Sequence, residues 1–199
     1  LGLGPDGVVA RNPKLVYGRV TGWGQDGPLA QAAGHDINYV SLAGAMSIAQ
    51  RPGDAPMAPP TLVGDMGGGA MFLAFGIVCA LVEAQRSGRG QVIDAAMVDG
   101  VAALSSLVHQ RRGALTWSDE PARNFFLGTS PFYDVFECAD GHVSLGAIEP
   151  KFYAELLQRL GLHDRVTGSH LTSMHSMDNY YVSKLLPLLC EARVHVVAN

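Results

Sequence analysis

The sequence predicts an α/β protein, because stretches with the composition of strands alternate with longer stretches that fit helices. Residues 14–21 and 91–96 are short and rich in β-branched and apolar side chains, as strands are. Between them, an apolar run of helical length begins after Asp65 and continues to about Gln85. These segments place the chain in the α/β class, and a hydrophobic content of 48% in 199 residues excludes a disordered chain.

The composition also bears on whether the chain binds nucleic acid or metal and on its redox compartment. The net charge is −4 and no basic run is present, so we expect no nucleic acid partner. The three cysteines, Cys79, Cys138 and Cys190, are far apart and form neither a metal-binding pattern nor an obvious disulfide framework. We therefore predict no metal site and a reducing compartment, the cytoplasm.

The first predicted element is a short helix that opens at Pro5. Residues 2–7 have the spacing G-x-G-x-x-G, but no strand precedes them here, so we reject a dinucleotide site. The strand at residues 14–21 is followed by a loop rich in glycine, and Trp23 lies in that loop. The Trp23 side chain either lines a pocket or packs within its own loop.

A histidine and an aspartate then stand side by side, at positions 35 and 36. We predict that Asp36 caps a helix that starts near Ile37. His35 beside an aspartate could form a proton-transfer pair. The alternative is a packed and hydrogen-bonded histidine without a chemical role.

Asp65 precedes three glycines, at residues 67–69, and then the apolar run. We predict that Asp65 caps the helix, because a carboxylate can accept the free N–H groups of a first turn. Since glycines let another molecule approach, Asp65 could also be a base beside N–H groups that stabilise an oxyanion. The alternative is a capped helix whose glycines only allow close packing. Residues 70–82 are too few to cross a bilayer, so we predict a buried helix and no membrane partner.

The second half of the sequence predicts a hairpin followed by a helix. Residues 132–138 and 142–148 have strand composition, and Asp140-Gly141 between them is a strong hairpin signal. Glu149 and Pro150 open the helix that follows. Its predicted apolar face consists of Phe152, Leu156, Leu157 and Leu160, and Gly161 ends it.

These patterns divide the chain into three parts. Residues 1–115 form the first part, and residues 116–164 form a linker followed by the hairpin and helix, which belong to a second subdomain. Residues 165–199 contain no clean amphipathic pattern, and we leave this tail without a predicted structure.

A set of short motifs is specific in combination, although each is weak alone. The motifs are Leu15-Val-Tyr17, Thr21-Gly-Trp-Gly-Gln25, Gly27-Pro28, Gly34-His-Asp-Ile-Asn-Tyr39, Gly64-Asp65, Gly88-x-Gly-Gln91 and Cys138-x-Asp-Gly141. Their order and spacing resemble the family III CoA-transferase and α-methylacyl-CoA racemase superfamily, most closely its racemases. The resemblance covers roughly residues 1–162.

The resemblance implies a fold and a set of site residues. It implies a Rossmann-like large domain, which binds CoA and carries the site, and a small α+β domain. In the family a further N-terminal portion precedes the position of Leu1, so the chain is expected to be a fragment, and intact relatives form interlocked homodimers. The implied catalytic residues are His35 and Asp65, with Glu149 orienting the histidine; for Glu149 the alternative is a plain helix start. The implied CoA-binding residues are Gly34, His35, Asp36, Ile37, Asn38 and Tyr39.

The implied activity is racemisation of 2-methylacyl-CoA thioesters through an enolate. One residue removes the α-proton on one face while another returns a proton on the opposite face. We expect no cofactor apart from the CoA of the substrate. Two alternatives stay open: a CoA-transferase with Asp65 as nucleophile, which would not need His35, and an inactive remnant that binds acyl-CoA.

Overall fold

The computed structural model describes residues 2–124 and 126–162, together with two short backbone segments at 167–169 and 195–197. The chain forms two compact units. The first consists of Leu1–Gln50 and Ala55–Gln110, and the second of Arg51–Asp54 and Arg111–Asn199. The α/β class predicted from the sequence is confirmed, because both units combine helices and strands.

Among the described residues, the first unit carries most of the helices. Its elements in chain order are α1 (Pro5–Arg11), β1 (Tyr17–Thr21), α2 (Asp36–Leu42), a 3₁₀ turn (Ala45–Ala49), a π-helix (Leu62–Met71), α3 (Phe72–Ser87), β2 (Val92–Ala96) and α4 (Met97–Leu104). Helix α5 (Ser106–Gly113) follows α4.

Strands β1 and β2 pair in parallel, with Tyr17 opposite Val92 and Thr21 opposite Ala96. Both strands were predicted, although β1 begins three residues later than the sequence pattern indicates. Helix α3 packs closely on this sheet because glycines remove side chains at the contact. A Cβ on Gly18 would lie 2.9 Å from Leu73 Cδ1 and 3.0 Å from Ile77 Cδ1.

The π-helix packs backbone to backbone against α4. A Cβ on Gly100 would overlap the carbonyl oxygen of Gly68, and a Cβ on Gly68 would lie 2.8 Å from the carbonyl oxygen of Met97. The glycines after Asp65 therefore serve close packing, as the simpler interpretation of this stretch predicts. Beside this contact lies a core of buried Val40, Ala45 and Val101, against which Ala43, Met46, Ile48, Ala58 and Val63 pack.

Helix α3 is far more exposed than the sequence predicts. Only Ala80 and Ala84 are buried along it, whereas Phe75 is 72% and Val78 58% exposed. The prediction of a buried helix is wrong because α3 meets the sheet along one face, while apolar side chains continue around it. The combined helix Leu62–Ser87 is long and apolar enough to cross a membrane by length and composition alone, a test that core helices also pass.

The second unit contains the predicted hairpin. Its elements are a 3₁₀ turn (Pro121–Arg123), β3 (Tyr133–Cys138), β4 (Gly141–Gly146), α6 (Pro150–Arg159), β5 (Thr167–Ser169) and β6 (His195–Val197). Strands β3 and β4 pair antiparallel with Cys138 opposite Gly141, so a two-residue loop connects them. Strands β5 and β6 pair in parallel, and the remainder of the tail beyond residue 162 lies outside the described residues.

Helix α6 begins and ends as predicted, and its buried face agrees with the prediction in part: Leu157 is buried and Leu156 is half-buried, whereas Leu160 is 56% exposed. Glu149 occupies its N-cap position, and Gly161 follows its end with a φ of +64°. The buried side chains are Tyr153 and Leu157, whereas Phe152 is 47% exposed. The Phe132 ring packs against Tyr153 with 5.7 Å between ring centroids, and this contact selects the buried face.

Candidate active site

Asp65 lies one turn inside the π-helix rather than at its cap. The helix begins at Leu62, and the Met66 N–H donates to the carbonyl oxygen of Thr61, five residues earlier, at 2.9 Å. The prediction that Asp65 caps the helix is therefore wrong, because the wider turn includes the residues before it. Thr61 occupies the cap position with a φ of +60°, a strained conformation for a β-branched residue. Such wide turns and strained residues recur at functional sites.

His35 stands at the start of α2, in extended conformation, with an exposed side chain. Its backbone N–H donates to Asn38 Oδ1 at 3.0 Å. This bond fixes the turn that carries His35 and gives Asn38 a structural role. The prediction that Asp36 caps α2 is wrong, because His35 occupies the cap position and Asp36 is the first helical residue.

The Asp36 carboxylate instead joins α2 to the π-helix. Asp36 Oδ1 accepts the backbone N–H groups of Gly64 at 2.7 Å and of Asp65 at 2.9 Å. Both N–H groups were candidates to stabilise an oxyanion, and that expectation is wrong for them because Asp36 already accepts both. The same contact brings the backbone of Asp65 to the residue that follows His35, so the two predicted proton-transfer residues belong to neighbouring segments of one unit.

Tyr39, in the middle of α2, lies close enough to Asp65 for the carboxylate charge to affect the Tyr39 hydroxyl. Burial raises the pKa of Tyr39 above its ordinary value, and the charge of the Asp65 carboxylate raises it further. The Tyr39 ring meets Trp23 edge to face, with 4.7 Å between centroids. Gly34 has no room for a side chain, since a Cβ there would lie 2.8 Å from both rings. Trp23 therefore packs against α2 rather than only within its own loop, and the interpretation of Trp23 as a pocket residue stays a prediction.

The other predicted site residues differ in exposure and location. Ile37 is 59% exposed on α2. Glu149 is exposed and belongs to the second unit, where its carbonyl oxygen accepts the N–H groups of Phe152 and Tyr153 at 2.9 and 3.1 Å. These bonds agree with the simple interpretation of Glu149 as a helix start, and its role in orienting His35 stays a prediction.

Two features of this region were not found from the sequence: the acceptor role of Asp36 and the strained Thr61. The sequence shows an aspartate next to the histidine and a glycine before Asp65, but no local pattern indicates that these two segments, 28 residues apart, are in contact.

Among the described residues, no group of three or more His, Cys, Asp or Glu side chains could hold a metal ion.

Comparison with known proteins gives a family match along almost the whole chain. The sequence model of CoA-transferase family III matches residues 1–191. The match extends past residue 162, where the recognisable motifs end, into the tail that showed no pattern.

Individual relatives include both racemases and transferases. The α-methylacyl-CoA racemase of Mus musculus is 45% identical over 174 residues, which cover 87% of this chain and 46% of that protein. The succinate–glutarate CoA-transferase of Agrobacterium fabrum is 36% identical over 163 residues, or 81% of this chain and 40% of that protein. The chain thus spans about half the length of the curated relatives it matches.

A solved structure agrees on the fold. A CAIB/BAIF family protein from Brucella suis superimposes with a TM-score of 0.66 at 20% identity. The superposition covers 97% of this chain and 50% of that one. At this identity the likeness concerns the fold alone.

Proposed function

Because the chain belongs to CoA-transferase family III, we propose that it forms part of an acyl-CoA racemase that inverts the α-carbon of 2-methylacyl-CoA thioesters. The observation that carries the proposal is the pair of hydrogen bonds from the Gly64 and Asp65 amides to Asp36, the neighbour of His35. These bonds join the segments that carry His35 and Asp65, the two side chains to which the proposal assigns proton transfer. Inversion at carbon requires two such groups, one for each face.

The proposed reaction uses His35 and Asp65 as the two bases. One of them, in its basic form, takes the α-proton, and the C–H electron pair moves onto the thioester carbonyl to give an enolate. The other, in its acid form, then donates a proton to the opposite face of the α-carbon, and the carbonyl re-forms. The roles exchange when the other epimer is the substrate. The Gly64 and Asp65 amides are not used as donors to the enolate oxygen, because Asp36 accepts both.

The rest of the site follows from the same proposal. Gly34 to Tyr39 contribute to the binding of the CoA thioester, and Glu149 orients the His35 imidazole through a hydrogen bond that fixes its tautomer. No cofactor apart from substrate CoA takes part. The intact protein is a homodimer in the cytoplasm.

A second candidate is a CoA-transferase in which the Asp65 carboxylate attacks the thioester. The relative from Agrobacterium fabrum, which is named a CoA-transferase, favours this candidate. His35 argues against it, because a transferase of this kind needs a nucleophilic carboxylate and no second proton-transfer group. A third candidate, a chain that only binds acyl-CoA, requires no chemistry from either residue.

One experiment separates the three candidates. The chain is assayed alone and after completion with the parts of the mouse racemase that it does not cover, here called the completed chain. Each of these two proteins is incubated with a single epimer of a 2-methylacyl-CoA in deuterated water, with and without an acceptor acid.

A racemase incorporates deuterium at the α-carbon and forms the other epimer without an acceptor. A transferase moves CoA only when the acceptor is present, and a binding remnant does neither. Absence of α-deuterium from the completed chain would overturn the proposed racemase.

A further inference from the structure

We infer that Asp36 is a positioning residue, which fixes the Asp65 carboxylate relative to the His35 imidazole so that both reach one α-carbon. The inference rests on the proposed function and adds a residue to it. Asp36 has no role in proton transfer here: its Oδ1 is directed at the Gly64 and Asp65 amides, at 2.7 and 2.9 Å.

The two hydrogen bonds tie together the segments that carry the two bases. On one side Asp36 directly follows His35, whose backbone is itself held by Asn38. On the other side one oxygen receives the N–H of Asp65 and the N–H before it. Hydrogen bonds from N–H groups to a carboxylate are shorter and stronger than those to a neutral oxygen, and a helix start favours the negative charge.

The surroundings of the contact fit an aspartate closely. Gly64 is buried, and a Cβ on it would overlap Asp36 Oδ1. A side chain at position 64 would therefore displace the carboxylate, while a longer acid at position 36 would push the π-helix away. The close fit at Gly64 explains why a residue without a side chain precedes Asp65.

Two-base inversion requires that the two bases keep a fixed position relative to each other. In a two-base inversion the α-carbon must lie between the bases, each within about 3–3.5 Å of the reacting atoms. A displacement of about 1 Å can lower the rate on the order of 10²-fold. A displaced base on one face leaves the other base able to remove the α-proton, exchange it for a deuteron of the solvent and return that deuteron to the same face. Displacement of one base therefore lowers the rate of inversion more than the rate of deuterium exchange with retention.

The test measures both processes in the completed chain, from each epimer separately in deuterated water. For Asp36→Ala we expect inversion to fall at least about 100-fold. From the epimer whose α-proton is removed by the base that keeps its position, exchange with retention should fall much less, so the ratio of exchange to inversion rises at least about tenfold. Asp36→Asn retains a neutral oxygen acceptor and should recover most of the inversion rate.

A second measurement does not depend on turnover. Amide hydrogen exchange of Gly64 and Asp65, followed by NMR, should accelerate at least about tenfold in Asp36→Ala and in Gly64→Ala. Asp6→Ala, which removes an exposed carboxylate from α1, is the matched control and should change neither the ratio nor the amide exchange.

The outcomes distinguish this inference from the proposed function. A wild-type completed chain without any α-deuterium overturns the proposed function and the role of Asp36 with it. An active enzyme in which Asp36→Ala lowers exchange and inversion equally from both epimers overturns the positioning role alone, because partial unfolding would have that effect. Unchanged protection of Gly64 and Asp65 in Asp36→Ala would remove the structural basis of the inference.

Discussion

At the scale of single residues, His35 and Asp65 differ in their surroundings. The His35 side chain is exposed at a helix start, whereas Asp65 is half-buried inside a π-turn. These different surroundings give neither side chain a means to take over the proton transfer assigned to the other. If they act on opposite faces of the substrate, each must be indispensable.

We therefore predict that His35→Ala and Asp65→Ala, made separately in the completed chain, each lower racemisation by at least about 10²-fold and leave the fold intact. General acid–base groups contribute on the order of 10²–10⁴-fold. The measurements are epimerisation in both directions and circular dichroism. His142→Ala, which removes an exposed histidine from β4, is the control. Near-wild-type epimerisation by His35→Ala in both directions would contradict the two-base assignment.

Tyr39 gives a prediction of pH dependence. Burial, and then the Asp65 charge, raise the pKa of Tyr39 above 10.0, and burial also raises the pKa of Tyr153. The folded chain then retains protons that the unfolded chain loses, so this contribution to stability is complete below pH 10 and is lost as the pH rises through the folded-state pKa values.

We expect the free energy of unfolding to fall above pH 10, and to fall less steeply in Tyr39→Phe. Asp65→Asn should lower the pKa of Tyr39, measured by phenolate absorbance against the Tyr39→Phe spectrum. That pKa should stay above 10.0 because burial is the larger cause. A Tyr39 pKa unchanged by Asp65→Asn would show that the carboxylate does not act on the ring.

At the scale of elements, the sequence predicts what local chemistry decides. The Asp-Gly signal at residues 140–141 locates the β3–β4 hairpin correctly, although the loop consists of Ala139 and Asp140 and Gly141 opens β4. Gly161 marks the end of α6, and both features depend on a few adjacent residues. The face that α6 buries depends on Phe132, which lies outside the helix. The start of the π-helix depends on Asp36, 28 residues before Gly64. Contacts of this kind arise only when separate segments meet, and a single sequence carries no local sign of them.

The contact between the π-helix and α4 leads to a stability prediction. Gly100→Ala should destabilise the chain by at least about 1–3 kcal/mol, the usual cost of overpacking, because the new Cβ overlaps the Gly68 carbonyl oxygen. Gly7→Ala is the matched control in α1, where the new Cβ would meet only the Gly2 carbonyl oxygen, at 3.7 Å. It should stabilise by about 0.5–1 kcal/mol, since alanine favours a helix interior. Chemical denaturation measures both, and a harmless Gly100→Ala would mean that the two helices are not in backbone contact.

At the scale of the whole molecule, the exposed apolar side chains of α3 determine how the chain behaves in solution. Phe75, Val78 and Val82 are 72%, 58% and 53% exposed and follow one another at helical spacing. A continuous apolar surface favours association, whereas isolated apolar side chains are ordinary. The same surface contributes to the membrane-like composition of Leu62–Ser87.

We therefore expect the 199-residue chain to elute from a sizing column as concentration-dependent oligomers or aggregates. Replacing Phe75 and Val78 together by glutamine should shift it toward the monomer and change the free energy of unfolding by less than about 0.5 kcal/mol, as for exposed sites in general. Leu115→Gln is the control, because Leu115 is 92% exposed but lies outside α3, and it should leave the elution unchanged. A wild-type chain that stays monomeric at every concentration would contradict the prediction, since the apolar face of α3 would then be compatible with water.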